Sequence, residues 1–417
     1  MRPLKLTITG EYWDSFLYKG RLHLFTRNGS IETIRWDTLI SDFRLNDSLL
    51  KLPFICAFLR SDYLYGAELT PLTSDAEIRE IISNRFDLLA QSTFELSKDA
   101  IKNHLIKEMD NKFYFPHSDI DIYTDNIYVG SSSGLMAAPC NKHNSNPIGR
   151  RPDRMWDGPV LGLSASYGSL AMASGSEGLY EYALRSENVI DGNDVAPRRL
   201  SKLVCNECNW NYFSIFGSSD VGGFLADFSD GYIDESTGYD YQQYSSATPV
   251  TDQRRKKKVV NSDRIFGSSG YAWGVKDKIC QASDGGISVA RYNPWAKASR
   301  NEEKIASLGT IDFAHWKGDL ISASSALFGI VAELEHAIIV ITSAGQSITL
   351  AGEPINWRFF VRSKHYENQL HIVYDDRIEI LSFNHDYVID QNTKLAGIRF
   401  SDRARRAPGR GLGPLEM

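Results

Sequence analysis

Cysteine is scarce: Cys56, Cys140, Cys205, Cys208 and Cys280 are the five in 417 residues. Five thiols are too few for a disulfide scaffold, an odd number leaves one over, and a reducing, cytoplasmic setting is expected. Long apolar runs are missing as well. None approaches the roughly 18 residues that span a bilayer, and the opening MRPLKLTITGEYWD has no apolar core of a secretory signal. No membrane partner is expected. The net charge of −6 is too small by itself to argue for a nucleic acid. Metalloprotease, P-loop and EF-hand patterns do not occur, which leaves the chemistry of those motifs without support.

What the chain does contain is a recurring hairpin. LHLFTRNGSIETIRWD, residues 22–37, alternates apolar and polar residues on both sides of Asn28-Gly29, a two-residue hairpin signal. The same figure returns at 127–138, 170–183, 214–228 and 278–292, with polar turns Ser131-Ser132-Ser133-Gly134, Ser174-Gly175-Ser176-Glu177-Gly178, Ser218-Ser219-Asp220-Val221-Gly222 and Ser283-Asp284-Gly285-Gly286. A later turn is Ser343-Ala344-Gly345-Gln346, and strands at 359–361, 369–374 and 377–383 follow it. About seven units of three or four strands result, and such a period in an all-β chain indicates a propeller, whose blades bury their faces against one another. A pair of β-sandwiches would also show evenly spaced strands. The turn recurs at one place within each unit, however, and small strand residues such as Gly168, Gly217, Gly274 and Ala171 suit tapering blades. The expected fold is all-β, an about seven-bladed propeller over 1–400. Leu4, Leu6 and Ile8 alternate with Lys5, Thr7 and Thr9, so residues 2–9 are expected to complete the last blade against 369–383 and remove an open edge.

Trp36-Asp37 stands at the end of a predicted strand, and Trp156-Asp157 repeats the pair in a loop. In this the chain resembles the WD-repeat-like β-propellers over nearly its whole length, without the Gly-His element that opens such repeats. The resemblance implies a rigid ring with its inter-blade connections on one face. Ser218-x-Asp220-x-Gly222 is similar to half of the Asp-box turn of sialidase-type propellers, where those side chains bond their own hairpin.

One stretch breaks the β pattern. Ile78, Ile81, Ile82, Phe86 and Leu89, then Leu96, Ile101, Leu105, Ile106 and Met109, fall at helical spacing. Ser74-x-x-Glu77 and Ser92-x-x-Glu95 both fit a capping box. A two-helix insertion over 75–109 is expected, as a lid on a blade edge or as a docking element. The stretch 401–417, rich in Pro, Gly and Arg, reads as a flexible tail.

Chemistry-bearing patterns are few. Gly130-x-Ser132-x-Gly134 matches a nucleophile elbow by letter but lies in a strand-to-strand turn, not the strand-to-helix turn that chemistry needs. Gly409, Gly411 and Gly413 have neither the strand nor the helix of a dinucleotide site. Cys140 with His143 and Cys205 with Cys208 supply the residue types of a Cys₃His zinc set. A whole unit separates the two pairs, and buried cysteines packing as small hydrophobes is the competing reading. No cofactor is expected, with zinc the one alternative. His315 and His371 read as strand residues.

The long connections 141–158, 185–204, 231–264 and 293–306 are each read as joining the last strand of one unit to the first of the next. Together they hold 17 Lys and Arg against 12 Asp and Glu, in a chain of net charge −6. Their basic residues are the expected partner contacts: Arg150, Arg151, Arg154, Arg198, Arg199 and the run Arg254, Arg255, Lys256, Lys257, Lys258, with Tyr232, Tyr239, Tyr241 and Tyr244 beside the run. The expected function is a non-catalytic scaffold, a subunit of a complex, that binds other proteins through a loop-rich face and the helical insert. An enzyme acting on a glycan or small molecule at the ring centre, and a nucleic-acid-binding component using 254–258, are the alternatives.

Overall fold

Two turn types alternate along the chain and set its architecture. A computed structural model describes residues 2–64, 75–140, 147–149, 151–184, 196–227, 258–283, 286–296, 303–312, 320–342, 346–383, 394–395 and 398–399. In it, the first and second strands of five units meet at tight turns where Lys19, Thr124, Tyr167, Tyr212 and Lys276 hold φ between 45° and 55°. That left-handed backbone matches the twist of two-residue hairpins. The hairpins found in the sequence are the next pair, second strand to third. Asn28-Gly29 is not a two-residue turn: the strands Arg21–Thr26 and Ser30–Arg35 are joined by three residues, with Gly29 at φ 83° and the Asn28 side chain accepting from the Ser30 N–H at 3.2 Å.

Seven antiparallel sheets follow, each a meander from a first to a fourth strand. Blade 1 is Tyr12–Tyr18, Arg21–Thr26, Ser30–Arg35 and Leu105–Asp110. Blade 2 is Asp119–Tyr123, Asn126–Ser131, Gly134–Pro139 and Asp153–Trp156. Blade 3 is Gly162–Ser166, Ser169–Ala173, Leu179–Ala183 and Arg198–Ser201. Blade 4 is Glu207–Asn211, Ser214–Ser219, Gly222–Asp227 and Lys258–Asn261. Blade 5 is Ala272–Val275, Lys278–Ser283, Gly286–Tyr292 and Ile305–Asp312. Blade 6 is Leu320–Ala326, Gly329–Leu334, Ala337–Thr342 and Ser347–Ala351. Blade 7 is Asn356–Phe359, Gln369–Val373, Arg377–Ser382 and, from the other end of the chain, Leu4–Thr9. The chain is a seven-bladed β-propeller. The turn at 343–346 joins a third strand to a fourth, one position later than its earlier counterparts, and its first three residues lie outside the described ones.

Blade faces bury against each other because their strands are apolar on both sides. In blade 6, Ile339 and Ile341 face blade 5 while Ile338 and Val340 face blade 7. Indoles on first strands tie neighbours together: Trp210 Nε1 donates to Ser164 O at 2.8 Å, Trp273 Nε1 to Ser325 Oγ at 2.9 Å, and Trp13 Nε1 to His117 O at 3.0 Å.

The ring closes as the alternation at 2–9 requires. Leu4–Thr9 pairs antiparallel with Arg377–Ser382, from Leu4 opposite Ser382 to Thr9 opposite Arg377. Leu4, Leu6 and Ile8 are buried and Lys5 and Thr7 half-buried. On its outer side the same strand pairs in parallel with Phe94–Leu96.

That fifth strand comes from the insertion, which is larger than the sequence suggested. The two helices expected over 75–109 are present as Ala76–Ala90 and Lys98–His104. They are preceded by helices Trp36–Asp42 and Lys51–Phe58, so the insertion starts at Trp36. Asp75, not Ser74, caps the first of the expected pair, accepting from the N–H groups of Glu77 and Ile78. Ser97, not Ser92, caps the second, and Leu105, Ile106 and Met109 belong to the fourth strand of blade 1. Trp36 opens a helix with its indole buried and bonded to Phe58 O at 2.8 Å, whereas Trp156 ends a strand. Neither Trp-Asp pair thus occupies its expected setting.

Candidate functional site

Strand direction fixes where the long connections emerge. In a four-stranded meander, first-to-second and third-to-fourth connections leave from one end of the blade, second-to-third and inter-blade connections from the other. The connections 141–158, 185–204, 231–264 and 293–306 do not join successive blades. Each runs from the third strand to the fourth of a single blade and contains part or all of that fourth strand. The insertion beginning at Trp36 occupies the same place in blade 1. Blades 1 to 5 therefore send their long segments, the helical insert among them, out at one end.

The described basic residues stand in different states. Arg151 and Arg154 are exposed, and Arg154 pairs with Asp157. Arg198 and Arg199 lie on the outer strand of blade 3, opposite Glu181 and Tyr180. Lys258 opens the outer strand of blade 4, opposite Asp227. Arg150, Arg254, Arg255, Lys256 and Lys257 lie outside the described residues, as do the four tyrosines and the 401–417 stretch.

Ile81, one of the residues at helical spacing, is 60% exposed; Leu49, Leu52 and Leu88 are 63%, 64% and 47% exposed. Phe86 and Leu89 fill the buried side of their helix instead. Ile81, Arg85 and Leu88 share one helix face at i, i+4 and i+7, and Arg85 reaches Asp47 at 3.7 Å. Asp47 caps the turn that carries Leu49. Ile81 and Leu88 thus flank Arg85 on its helix, and Leu49 follows its partner Asp47. The insert is held down by blade 7: Asn368 Nδ2 donates to Ala57 O at 3.1 Å and Gln369 Nε2 to Phe58 O at 3.0 Å, satisfying the carbonyls at that helix end. Ser61 Oγ donates to Lys364 O at 3.0 Å.

The centre of the ring is polar. First strands of neighbouring blades adjoin there, and Arg358 of blade 7 crosses the closure seam. It donates to Asp14 Oδ2 at 2.7 Å, Asp119 Oδ1 at 3.2 Å and Ile120 O at 2.7 Å, with its guanidinium 5.0 Å from the Phe16 ring centre. Burial alone would push the Asp14 carboxyl up, but Arg358 and His117 outweigh it and hold it below the usual range. Asp119 goes the other way, raised by burial despite Arg358. Asp119 Oδ2 and Asp121 Oδ2 accept the backbone N–H groups of Leu163 at 2.8 Å and Ala165 at 2.7 Å, and Arg362 pairs with Asp121. Blades 7, 1, 2 and 3 are joined by one buried charge network.

Two central groups bear on catalysis. Ser15 Oγ lies 3.1 Å from His371 Nδ1, but both residues are fully buried, and burial with the nearby Arg358 pushes the imidazole down to about 3. That dyad is a sealed packing contact. Burial raises Glu207 to about 7, helped by Asp119, Glu333 and Asp220 and opposed by the hydroxyl of Tyr271, which donates at 2.9 Å. The nucleophile-like serines 131–133 serve their own turn, with the Ser133 N–H donating to Ser131 Oγ.

The zinc set is not brought together. Cys140 packs in the core that includes blade 1, 3.7 Å from His23 Nε2. Cys205 and Cys208 enter blade 4 in a different cluster, with contacts to Glu207 O and Gly162 O. Burial raises all three thiols, Cys140 and Cys205 to about 12, the opposite of what a thiolate ligand needs. His143 lies outside the described residues.

No protein-family model and no curated protein sequence matches the chain. Solved propellers do resemble it. One is a chain of the COPII outer coat vertex on membranes, at 13% identity and a TM-score of 0.45, with 69% of this chain and 74% of that one covered. Another is the WD40 domain of Neurospora crassa Pan2, at 8% identity and 0.44, with 89% of both chains covered. A third is the β-propeller domain of Myceliophteria thermophila Cps50 (Swd1), at 12% identity and 0.38, with 66% and 98% covered. The propeller assignment rests on the chain's own seven sheets.

Proposed function

We propose that this chain is a non-catalytic scaffold, a subunit of a cytoplasmic protein complex, whose long-segment face binds other proteins. The observation that carries the reading is the shared exit of all five long segments, the helical insert with exposed Leu49, Leu52, Ile81 and Leu88 among them, from one end of a rigid frame. Rigid rings with irregular segments at one end suit recognition, because the frame fixes the loops at little entropic cost. No helix among the described residues is long and apolar enough to cross a membrane.

The test is affinity purification with quantitative mass spectrometry, comparing wild type with two variants. One replaces Arg254, Arg255, Lys256, Lys257 and Lys258 by Glu; the other carries Leu52→Asp and Ile81→Asp. Changes at exposed positions shift stability by less than about 0.5 kcal/mol each, so the variant with Leu52→Asp and Ile81→Asp is expected to melt like wild type, and both variants are expected to lose partners. Charge-borne binding weakens as salt rises. Variants that keep every wild-type partner at low salt would sink the reading. Partners that prove to be nucleic acid, with a steep salt slope, would replace it. An enzyme reading has one observation in its favour, the carboxyl of Glu207 near neutrality, which suits a general acid or base.

A further inference from the structure

The end of the ring opposite the long segments carries an apolar ledge of its own. Inter-blade connections and second-to-third turns leave there. Leu203 and Val204 lie in the connection from blade 3 to blade 4, and Val221 lies in the second-to-third turn of blade 4. Leu161 precedes the first strand of blade 3. All four are exposed, Val204 at 52% and Val221 at 78%. Local contacts hold them together. Gly175 and Cys205 exchange backbone bonds at 2.7 and 3.0 Å, and the Leu161 side chain reaches within 3.2 Å of where a Cβ on Gly175 would stand. Asn206 Nδ2 donates to Asp220 Oδ1 at 2.9 Å, which ties the turn of Val221 to the connection of Val204. The undescribed connection residues at this end, 284–285 and 313–319, belong to blade 5 and to the step from blade 5 to blade 6. Apolar side chains gathered in this way mark an interaction surface, whereas scattered ones need no explanation.

The inner end of the ledge is acidic. The connection that carries Leu203 and Val204 runs into Glu207, the first residue of its strand. A Cβ on Gly162, next to Leu161, would stand 3.2 Å from Glu207 Cα. Glu207 is half-buried; Tyr271 donates to its Oε2 at 2.9 Å, and its Oε1 has no donor among the described residues. The ionisable groups that face it are Asp119 from blade 2, Asp220, Cys205 and Cys208 from blade 4, Tyr271 from blade 5 and Glu333 from blade 6. None is a cation. Arg358, which faces Asp119, is already held by Asp14 Oδ2 at 2.7 Å and Ile120 O at 2.7 Å, and Glu333 takes only the neutral donors Ser322 Oγ and Trp357 Nε1. The other exposed charges around the ledge come in equal numbers, Glu177, Asp157 and Asp263 against Lys202, Arg154 and Arg264. Glu207 and Asp220 are left in excess, and an incoming cation would complement them.

We propose that this ledge docks an extended segment of a partner protein bearing a lysine or arginine beside apolar side chains, the cation on Glu207 and the apolar residues on Leu161, Val204 and Val221. The surface lies at the other end of the ring from the long segments, and it stands even if their face binds nothing. A docked cation favours the ionised carboxyl, so docking is linked to loss of the Glu207 proton and strengthens as pH rises. Burial first, then the surrounding carboxylates, raise the free carboxyl to about 7. About one molecule in ten is therefore ionised at pH 6 and about nine in ten at pH 8, and affinity scales with that fraction.

The probe is a capped, fluorescent heptapeptide with Lys at its centre and Val at alternate positions, titrated into the full chain and followed by anisotropy. The same peptide with Gln in place of Lys is the control. Wild type is expected to bind the Lys peptide about tenfold more tightly at pH 8 than at pH 6, and to bind the Gln peptide about tenfold more weakly than the Lys peptide at pH 8. Glu207→Gln is expected to lose that advantage and to bind equally at the two pH values. Val204→Ser with Val221→Ser should weaken binding about tenfold at both pH values, keep the rise between them, and leave melting unaltered because both positions are exposed. The Glu-substituted 254–258 variant should bind the peptide like wild type, which keeps this result independent of the scaffold reading. No binding of the Lys peptide up to about 1 mM, equal binding of the Gln peptide, or a flat pH profile in wild type would overturn the proposal. So would tighter binding after Arg403, Arg405, Arg406 and Arg410 are replaced by Ser, since the chain's own basic stretch would then be the occupant.

Discussion

At the scale of single residues, the closure seam depends on Arg358. Its removal leaves the buried Asp14 carboxylate without its main counter-charge, and breaking such a pair costs about 3–5 kcal/mol. Arg358→Ala is therefore expected to lower the urea midpoint sharply, and Arg358→Ala with Asp14→Asn less than the sum of the two changes, because the residues share one network. Glu207 gives a pH signature of the other kind. Its folded pKa of about 7 lies above the ordinary 4.5, so the folded state holds the proton more tightly. The stability it contributes is complete below about 4.5 and is lost as pH rises through about 7. Melting temperatures of wild type and Glu207→Gln should accordingly diverge between pH 5 and pH 8, with the Gln variant gaining relative to wild type; parallel curves would contradict the assignment. The charged residues of this network were visible in the sequence as interruptions, Asp14 within YWDSFLY and Arg358 within NWRFF. A charge inside an apolar strand calls for a partner. Which partner could not be read, because Asp14 and Arg358 are 344 residues apart.

At the scale of elements, the alternation of Leu4, Leu6 and Ile8 was enough to place the closing strand, since one buried face fixes the register. Deleting residues 2–9 opens the edge of Arg377–Ser382 and strips Phe94–Leu96 of its partner. The loss is expected to exceed about 4 kcal/mol, in the range reserved for major core damage, and differential scanning calorimetry should show it. A truncated chain melting like wild type would contradict this role. Helix content was legible from periodicity, but its face was not. Ile81 satisfies helical spacing with Ile78 and Ile82, and only the packing of Phe86 and Leu89 decides that the buried arc excludes it. The fourth strands at 153–156, 198–201 and 258–261 were absorbed into loops because the four-residue stretches DRMW, RRLS and KVVN are too short and do not alternate, so they carry no period-2 signal.

At the scale of the whole molecule, the repeat of the second-to-third-strand hairpin was sufficient to predict the ring, since such a hairpin buries its faces only by stacking on its neighbours. The long segments were expected to share one face as blade-to-blade connections; they do leave from one end, but as third-to-fourth connections, which is the opposite end of the blades from the one expected. Closure by Leu4–Thr9 has a consequence in time as well as in space. The strand Leu4–Thr9 finds its partner only when residues 377–382 have emerged from the ribosome, so no shorter length of this chain can seal the ring. Until then both the waiting strand and the growing edge stay open, and the entropy of joining distant ends falls on a single late step. A permutant that links residue 383 to residue 3 through a short turn, and opens between Ser268 and Ser269 in the connection from blade 4 to blade 5, keeps the strands of every blade contiguous and converts that step into a local hairpin. It is expected to refold faster than the natural order in stopped-flow fluorescence.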